Sequence, residues 1–309
     1  SVNSDERLRE PQMHNGDGSL APARWSTAMD AAVSALRAAN PQSIAVLGGS
    51  RLTNEAPYAW ARLAKGVLGT DSVDAQLGDG LPAQLVASLP STTIDDVCAK
   101  GATVLYLGPD PKEELAVLHL RLKHAAQNDG VRIVQVGPTS TGLSRYAAHS
   151  LQHRPGEVAQ VVEALLSGQV PDGGVAGVPA DALSAASELI RSAGDDLRVV
   201  IGRPNLAESA GPTADAALAV RDAVPGGRFL SALRRANVRG DIEAGLAPVM
   251  LPGRMSLADG AGVWGGVWGS TPKTEGMDAH GILKAAAAGR IDLLILLAAD
   301  PLVDFADRS

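Results

Sequence analysis

The sequence predicts an α/β protein made of two parallel-sheet parts, and three observations carry that prediction. Thr103 and the apolar run Val104 to Leu107 are stopped by Gly108-Pro109-Asp110-Pro111. Leu115, Leu118, Leu120, Leu122 and Ala125/Ala126 then recur at near-helical spacing, and after Asn128-Asp129-Gly130 a β-branched run follows, Val131 to Val136. This is a βαβ unit, whose crossover is expected to be right-handed. Second, both apolar runs are near-continuous, the pattern of strands buried on two faces of a parallel sheet. Third, strands ending in a small residue and a turn recur at Gly48-Gly49 and Gly202-Arg203-Pro204. Leu105–Pro111 is echoed by Leu296–Pro301. Such repetition favours a doubly wound fold in two parts.

Taken in order, residues 1–24 form a polar lead-in with a tight turn at Asn15-Gly16-Asp17-Gly18. A first α/β part is expected over 25–168. Its first helix runs from Trp25 to about Ala39, with Ser26 as cap. Ser43 to Leu47 is a strand ending at Gly48-Gly49-Ser50-Arg51, and Thr53-Asn54-Glu55 starts a helix to about Leu68, stopped by Gly69. Residues 70–92 read as loop, and Ile94 to Lys100 as a short helix before the central βαβ. Residues 138–154 read as an irregular link, and Pro155-Gly156-Glu157 starts a helix over Val158–Leu166. Residues 169–180, within Gly- and Pro-dense sequence, read as a linker. A second part is expected over 181–309: helix 181–193, strand Leu197–Ile201, helices 212–223 and 228–236, then helix 279–288 and strand Leu293–Leu297. Between them, 245–278 is a Gly/Pro/Trp-rich excursion without periodicity, expected to pack poorly unless another domain or subunit covers it. The apolar unit at 291–305 has barely finished when the sequence stops at Ser309, so the fold reads as incomplete and the sequence as a fragment.

Composition narrows the function. The chain has 309 residues, 45% hydrophobic and 20% charged, with a net charge of −7. That charge argues against nucleic acid and against an anionic membrane surface. The longest apolar run, Leu293–Ala299, is far too short to span a bilayer, so no direct membrane insertion is expected. Cys98 is the single cysteine, too few for an iron–sulfur cluster or a cysteine-rich zinc site.

No residue pattern reads as catalytic or as metal-binding. Gly48, Gly49 and Ser50 sit between a strand and a helix start, where backbone amides can hold a phosphate. The spacing is not a dinucleotide or P-loop motif, and turn geometry is the stronger reading. Asp110, Glu113 and Glu114 could be paired acid–base carboxylates, but acidic residues in a first helical turn also suit the helix dipole. His14, His119, His124, His149, His153 and His280 show no metal-ligand spacing. Ser140 and Ser144 lack a nucleophile elbow, and Arg234-Arg235 is the only basic pair of note.

Several stretches, in order, resemble the molybdopterin-oxidoreductase-like region of the large iron–sulfur subunit of bacterial NADH–quinone oxidoreductase (respiratory complex I). They are Asp5–Pro11 with Asp17–Trp25, Ile44–Glu55 with Gly69–Asp74, Leu107–Arg121, Pro155-Gly156-Glu157, Asn237–Gly240 and Leu296–Phe305, with an actinobacterial flavour. The resemblance implies two Rossmann-like parts of the formate dehydrogenase/DMSO reductase type and a peripheral-arm subunit on the cytoplasmic side of the cell membrane. It implies other peripheral-arm subunits as partners, a structural role without chemistry of its own, and iron–sulfur clusters in a segment preceding this one. In the molybdenum enzymes a Cys or selenocysteine ligates the metal in the loop that here reads Asp74-Ala75-Gln76-Leu77-Gly78-Asp79-Gly80-Leu81. With no cysteine there, molybdenum is not expected. Gly48, Gly49, Ser50, Gly108 and Asp110 are the candidates for a vestigial pocket. Two alternatives remain: the pterin-binding part of an active molybdenum oxidoreductase, with an Asp or water in the thiolate's place, and a generic nucleotide-binding module.

Overall fold

The computed structural model describes residue 4 and residues 7–305. Asp5 and Glu6 of the resemblance, and residues 306–309, lie outside the described residues. The expected turn at 15–18 joins β1 (Gln12–His14) to β2 (Leu20–Pro22) in an antiparallel hairpin. α1 (Trp25–Ala38) follows. Its N-cap is Arg24 rather than Ser26, and none of its residues is buried.

Two parallel sheets organise the chain, as predicted. In the first, β3 (Ile44–Gly48) lies between β12 (Leu293–Leu297) and β4 (Val73–Asp74), with Ile44 opposite Leu293 and Val46 opposite Val73. α2 (Glu55–Ala61) runs into a π-helical stretch, Arg62–Leu68, which Gly69 ends in the left-handed conformation at φ +74°. The segment read as loop at 70–92 contains β4 and α3 (Ala83–Ser88). α4 (Ile94–Val97) opens on a capping box: Thr93 accepts from the Asp96 amide and Asp96 from the Thr93 amide. The Thr93→Ala variant is therefore expected to lose about 1 kcal/mol of stability in urea unfolding, and an unshifted midpoint would contradict the box.

The second sheet has the order β7–β6–β5–β8–β9, and all its pairings are parallel. β5 (Thr103–Leu107) and β6 (Arg132–Gly137) are the strands of the central unit. The helix between them is broken at Leu115 (φ −137°, ψ 60°) into α5 (Pro111–Glu114) and α6 (Ala116–Asn128). β7 (His149–Gln152) lies inside the stretch read as an irregular link. α7 (Val158–Ser167), α8 (Ala180–Ala193), β8 (Arg198–Ile201) and α9 (Gly211–Ala223) follow. β9 (Arg228–Ser231) replaces the helix expected at 228–236. Its neighbours decide this: Phe229 faces Val199 in the sheet, donates to Pro90 O at 2.7 Å and accepts from Thr92 N at 3.0 Å, and is 1% exposed.

After α10 (Val238–Glu243) the Gly/Pro-rich excursion is also corrected. β10 (Met250–Leu251) and β11 (Met255–Ser256) form a small hairpin, and α11 (Leu257–Trp268) is a helix capped by Ser256, which accepts from the Asp259 amide. Leu246, Ala247, Met250 and Leu251 are buried, and Trp268 lies 4.9 Å from Trp264. The exposed large apolar residues of the excursion are Val263 and Val267, on the outer face of α11. α12 (Ala279–Ala287), β12 and α13 (Pro301–Asp304) complete the described chain. The Leu105–Pro111 echo is structural: Asp110 and Asp300 each follow a strand and cap a Pro-started helix, accepting from the amides of Lys112 and Leu302.

The strand pairing does not follow a division at 169–180. Val175 bridges Val178 there in a tight turn between α7 and α8, and both helices pack into the core under the second sheet. β8 and β9 join that same sheet, while β12 returns to β3. The second sheet is thus nested between two strands of the first. Among the described residues no helix is long and apolar enough to cross a membrane.

Candidate functional site

A cleft of about 560 Å³ opens where the carboxyl ends of strands from both sheets meet. Ligands in open α/β sheets seat at that end. One wall is the loop leaving β4, from Asp74 to Gln84. A second is Arg203–Ala210, after β8. Pro248, Val249 and the start of α12, Asp278–His280, close the rest.

Its floor is Asp74, 4% exposed. The carboxylate accepts from Gln76 N and from Ala279 N, both at 2.9 Å. Burial pushes its carboxyl up to about 6; the two amides work against that shift, and the charges of Asp278 and Asp79 add to it. The loop is held in place from outside. Gln76 bridges the Leu81 amide and carbonyl through its own side chain. Arg235 donates to Asp79 Oδ2 at 2.6 Å and to Gln76 O at 3.0 Å, and Arg203 donates to Gly78 O at 2.7 Å. Burial pushes Asp79 up, while Arg235 opposes it. Gly78 sits at φ +76°, and an added Cβ would lie 2.5 Å from the Phe305 ring, so this position needs glycine.

Behind the cleft lies a buried ion pair. Lys65, fully buried, donates to Asp71 Oδ1 at 2.5 Å, Ala247 O at 2.8 Å and Met250 O at 2.6 Å. Asp71 Oδ2 accepts from Val249 N and Gly276 N. All three ammonium protons have acceptors, so the pair fixes the 247–250 wall against the first sheet.

The five residues singled out from the sequence lie elsewhere, and none of them lines the cleft. Gly48 and Gly49 have φ of +98° and +115°. An added Cβ would meet Leu297 O at 2.5 Å on Gly48 and Leu246 Cδ2 at 2.6 Å on Gly49, so these glycines serve a turn and close packing. Ser50 is buried, and its carbonyl accepts from Asn237 N. A Cβ on Gly108 would meet the Tyr106 ring at 3.2 Å. Asp110 caps α5 and also accepts from Gly142 N at 3.0 Å. Glu114 pairs with Arg234 at 2.5 Å, so the basic pair 234–235 is spent on Glu114 and Asp79. Sequence reasoning missed Arg203, Glu208, Asp278 and His280 as wall residues. They come from separate segments, and only the fold joins them.

The loop 74–81 does not fit a thiolate-held metal. It carries no sulfur donor, two of its carbonyls are taken by arginines, and the Phe305 ring fills the space beside Gly78. Cys98 ends α4 and packs with the core of the other sheet, where burial pushes its thiol up. Among the described residues no group of three His, Cys, Asp or Glu side chains could hold a metal ion.

Residues 7–167 match the molybdopterin oxidoreductase family. The chain is 32% identical over 302 residues to the G subunit of the NADH-quinone oxidoreductase of Mycobacterium bovis, a match covering 94% of this chain and 34% of the relative. It is 29% identical over 323 residues to the same subunit of Streptomyces coelicolor, covering 94% and 36%. The chain thus spans about a third of the length of these curated relatives. A crystal structure of the formyltransferase/hydrolase complex of Methylorubrum extorquens with methylofuran contains a chain of the same fold: the TM-score is 0.57 at 18% identity, covering 94% of this chain and 77% of that one.

Proposed function

Since this chain belongs to the molybdopterin oxidoreductase family, we propose that it is a structural domain in the peripheral-arm subunit of an NADH–quinone oxidoreductase. It supports electron transfer from NADH to quinone and carries out no chemistry itself. The observation that carries this reading is the likeness, over 94% of the chain, to one subunit of that enzyme in two actinobacteria. The loop 74–81 supports the non-catalytic part, because its donors do not suit molybdenum. On this reading the partners are other peripheral-arm subunits, and the iron–sulfur clusters belong to other parts of the same subunit. The whole sits peripherally on the cytoplasmic side of the membrane.

The test is purification of the full-length polypeptide through a tag, with its native partners. NADH–quinone activity and iron are expected to co-purify, with molybdenum and tungsten far below one atom per polypeptide. Stoichiometric molybdenum or tungsten would overturn the structural role. Recovery of the intact polypeptide without NADH–quinone activity would overturn the assignment to the complex.

A further inference from the structure

Asp241 marks a movable element beside the cleft, whatever complex the chain serves in. It is fully buried, and neither of its oxygens has a hydrogen-bond partner among the described residues. It sits on α10 and faces the turn after β3, where Oδ1 lies 3.8 Å from the place a Cβ would take on Gly49. The charged groups on the elements around it are engaged elsewhere. On α10 itself, Arg239 pairs with Glu243 at 3.0 Å. On the turn, Arg51 pairs with Asp304 at 2.8 Å. Glu55, at the start of α2, is held by Thr53, and α3 carries no charged residue. Lys65 is spent on Asp71 and on the carbonyls of Ala247 and Met250. Burial acts on Asp241 without a charged neighbour to oppose it and pushes its carboxyl up. An enclosed carboxylate with no donor is tolerated protonated and strongly destabilised as the ion.

The segment that carries this group is anchored at both ends. Before it, Arg235 donates to Asp79 and to Gln76 O in the cleft loop. After it, Ala247 and Met250 accept from Lys65. Between these anchors the polar contacts are neutral and go to one turn. Asn237 N donates to Ser50 O at 3.0 Å, and Asn237 Nδ2 donates to Leu52 O and Asn54 Oδ1, each at 3.0 Å. Water can replace bonds of this kind at little net loss. Val238, Ile242 and Leu246 are buried, so the closed position dominates and opening is a rare local event. Gly245, at φ +83°, turns the chain back after α10. α10 also packs against α3, whose Ala83 and Gln84 line the cleft.

We propose that Asn237–Leu246 is a pH-sensitive device: when Asp241 loses its proton the segment opens as a unit from the turn after β3, and α3 loses its support at the edge of the cleft. Opening lets water reach the carboxylate, so the ion favours the open form and the protonated acid the closed one. The open population therefore rises with pH.

The test is hydrogen exchange of the intact polypeptide, read by mass spectrometry between pH 5 and pH 8 and corrected for the intrinsic pH dependence of exchange. Residues 237–246 are expected to be less protected than β5 and β8 at every pH. Their protection should fall roughly tenfold or more from pH 5 to pH 8, with 83–88 following. In Asp241→Asn and in Asp241→Ala that fall should vanish; should one variant fail to fold, the other carries the comparison. Protection of 237–246 that does not change with pH in the parent would overturn the proposal. So would the same fall in a folded variant. Exchange of 237–246 in step with β5 and β8 would show that the segment opens only when the whole protein unfolds, and unchanged protection at 83–88 would sever it from the cleft; either result overturns the proposal. None of these outcomes bears on whether NADH–quinone activity co-purifies.

Discussion

The Lys65→Met variant is expected to unfold about 3–5 kcal/mol more easily than the parent, the range seen when one partner of a buried ion pair is removed. Methionine fills much of the same space, so the loss comes from polar groups rather than from a cavity. Asp71 is left charged in a fully buried position, and the carbonyls of Ala247 and Met250 lose their donor. Pairing the change with Asp71→Asn should restore part of the loss, because the stranded charge is gone while the carboxamide oxygen can still accept from Val249 N or Gly276 N. Urea unfolding of the parent, the single variant and the double variant checks this. A loss below about 1 kcal/mol for Lys65→Met would place the pair among exposed bridges of little consequence.

A second large effect depends on pH. Asp241 is fully buried on α10, facing Gly49, and neither carboxylate oxygen has a hydrogen-bond partner among the described residues. Burial pushes its carboxyl up to about 7. In the unfolded chain the same group releases its proton near pH 4. Between those values the folded state holds a proton that the unfolded state has given up. The stability associated with this group is therefore fully present below about pH 4 and is lost as pH rises through 7. The Asp241→Asn variant removes the ionisation. It should match the parent near pH 4 and exceed it at pH 8 by an amount on the order of 4 kcal/mol, following the shift. Unfolding midpoints for both proteins at several pH values measure the difference. Parallel pH profiles would show that Asp241 finds a partner in the folded protein.

How far the sequence revealed the fold depended on whether an element carried its own evidence. The strands at 104–107 and 131–136 were legible because near-continuous apolar runs end at Gly-Pro stops. β7 and β9 were not. His149–Gln152 and Arg228–Ser231 are four-residue strands whose state is fixed by neighbours, Val134 to Gly137 for one and Arg198 to Ile201 for the other. Local pattern cannot see a partner that distant. α11 was hidden differently: Gly260, Gly262, Gly265 and Gly266 interrupt its apolar period, yet Ser256 and Asp259 cap it and Trp268 anchors it. The cleft was the least legible part. Its walls come from four stretches, and no two of its charged residues, Asp74, Arg203, Glu208 and Asp278, share a motif. The glycines that did stand out, Gly48 and Gly49, mark where β12 and Leu246 press against a turn.

The return of β12 to β3 sets a timetable for synthesis. The hydrogen bond from Ser43 to Asp292, at the foot of this strand pair, joins residues 249 positions apart. A ribosome moving at ordinary speed adds that much chain in roughly 12–50 s. Throughout that interval Ile44 to Leu47 have emerged, but the strand that flanks them does not yet exist. The nested five-stranded sheet can form meanwhile, because its strands all lie between residues 103 and 231. The pairing of β3 with β12 must wait until translation has delivered residues 293–297.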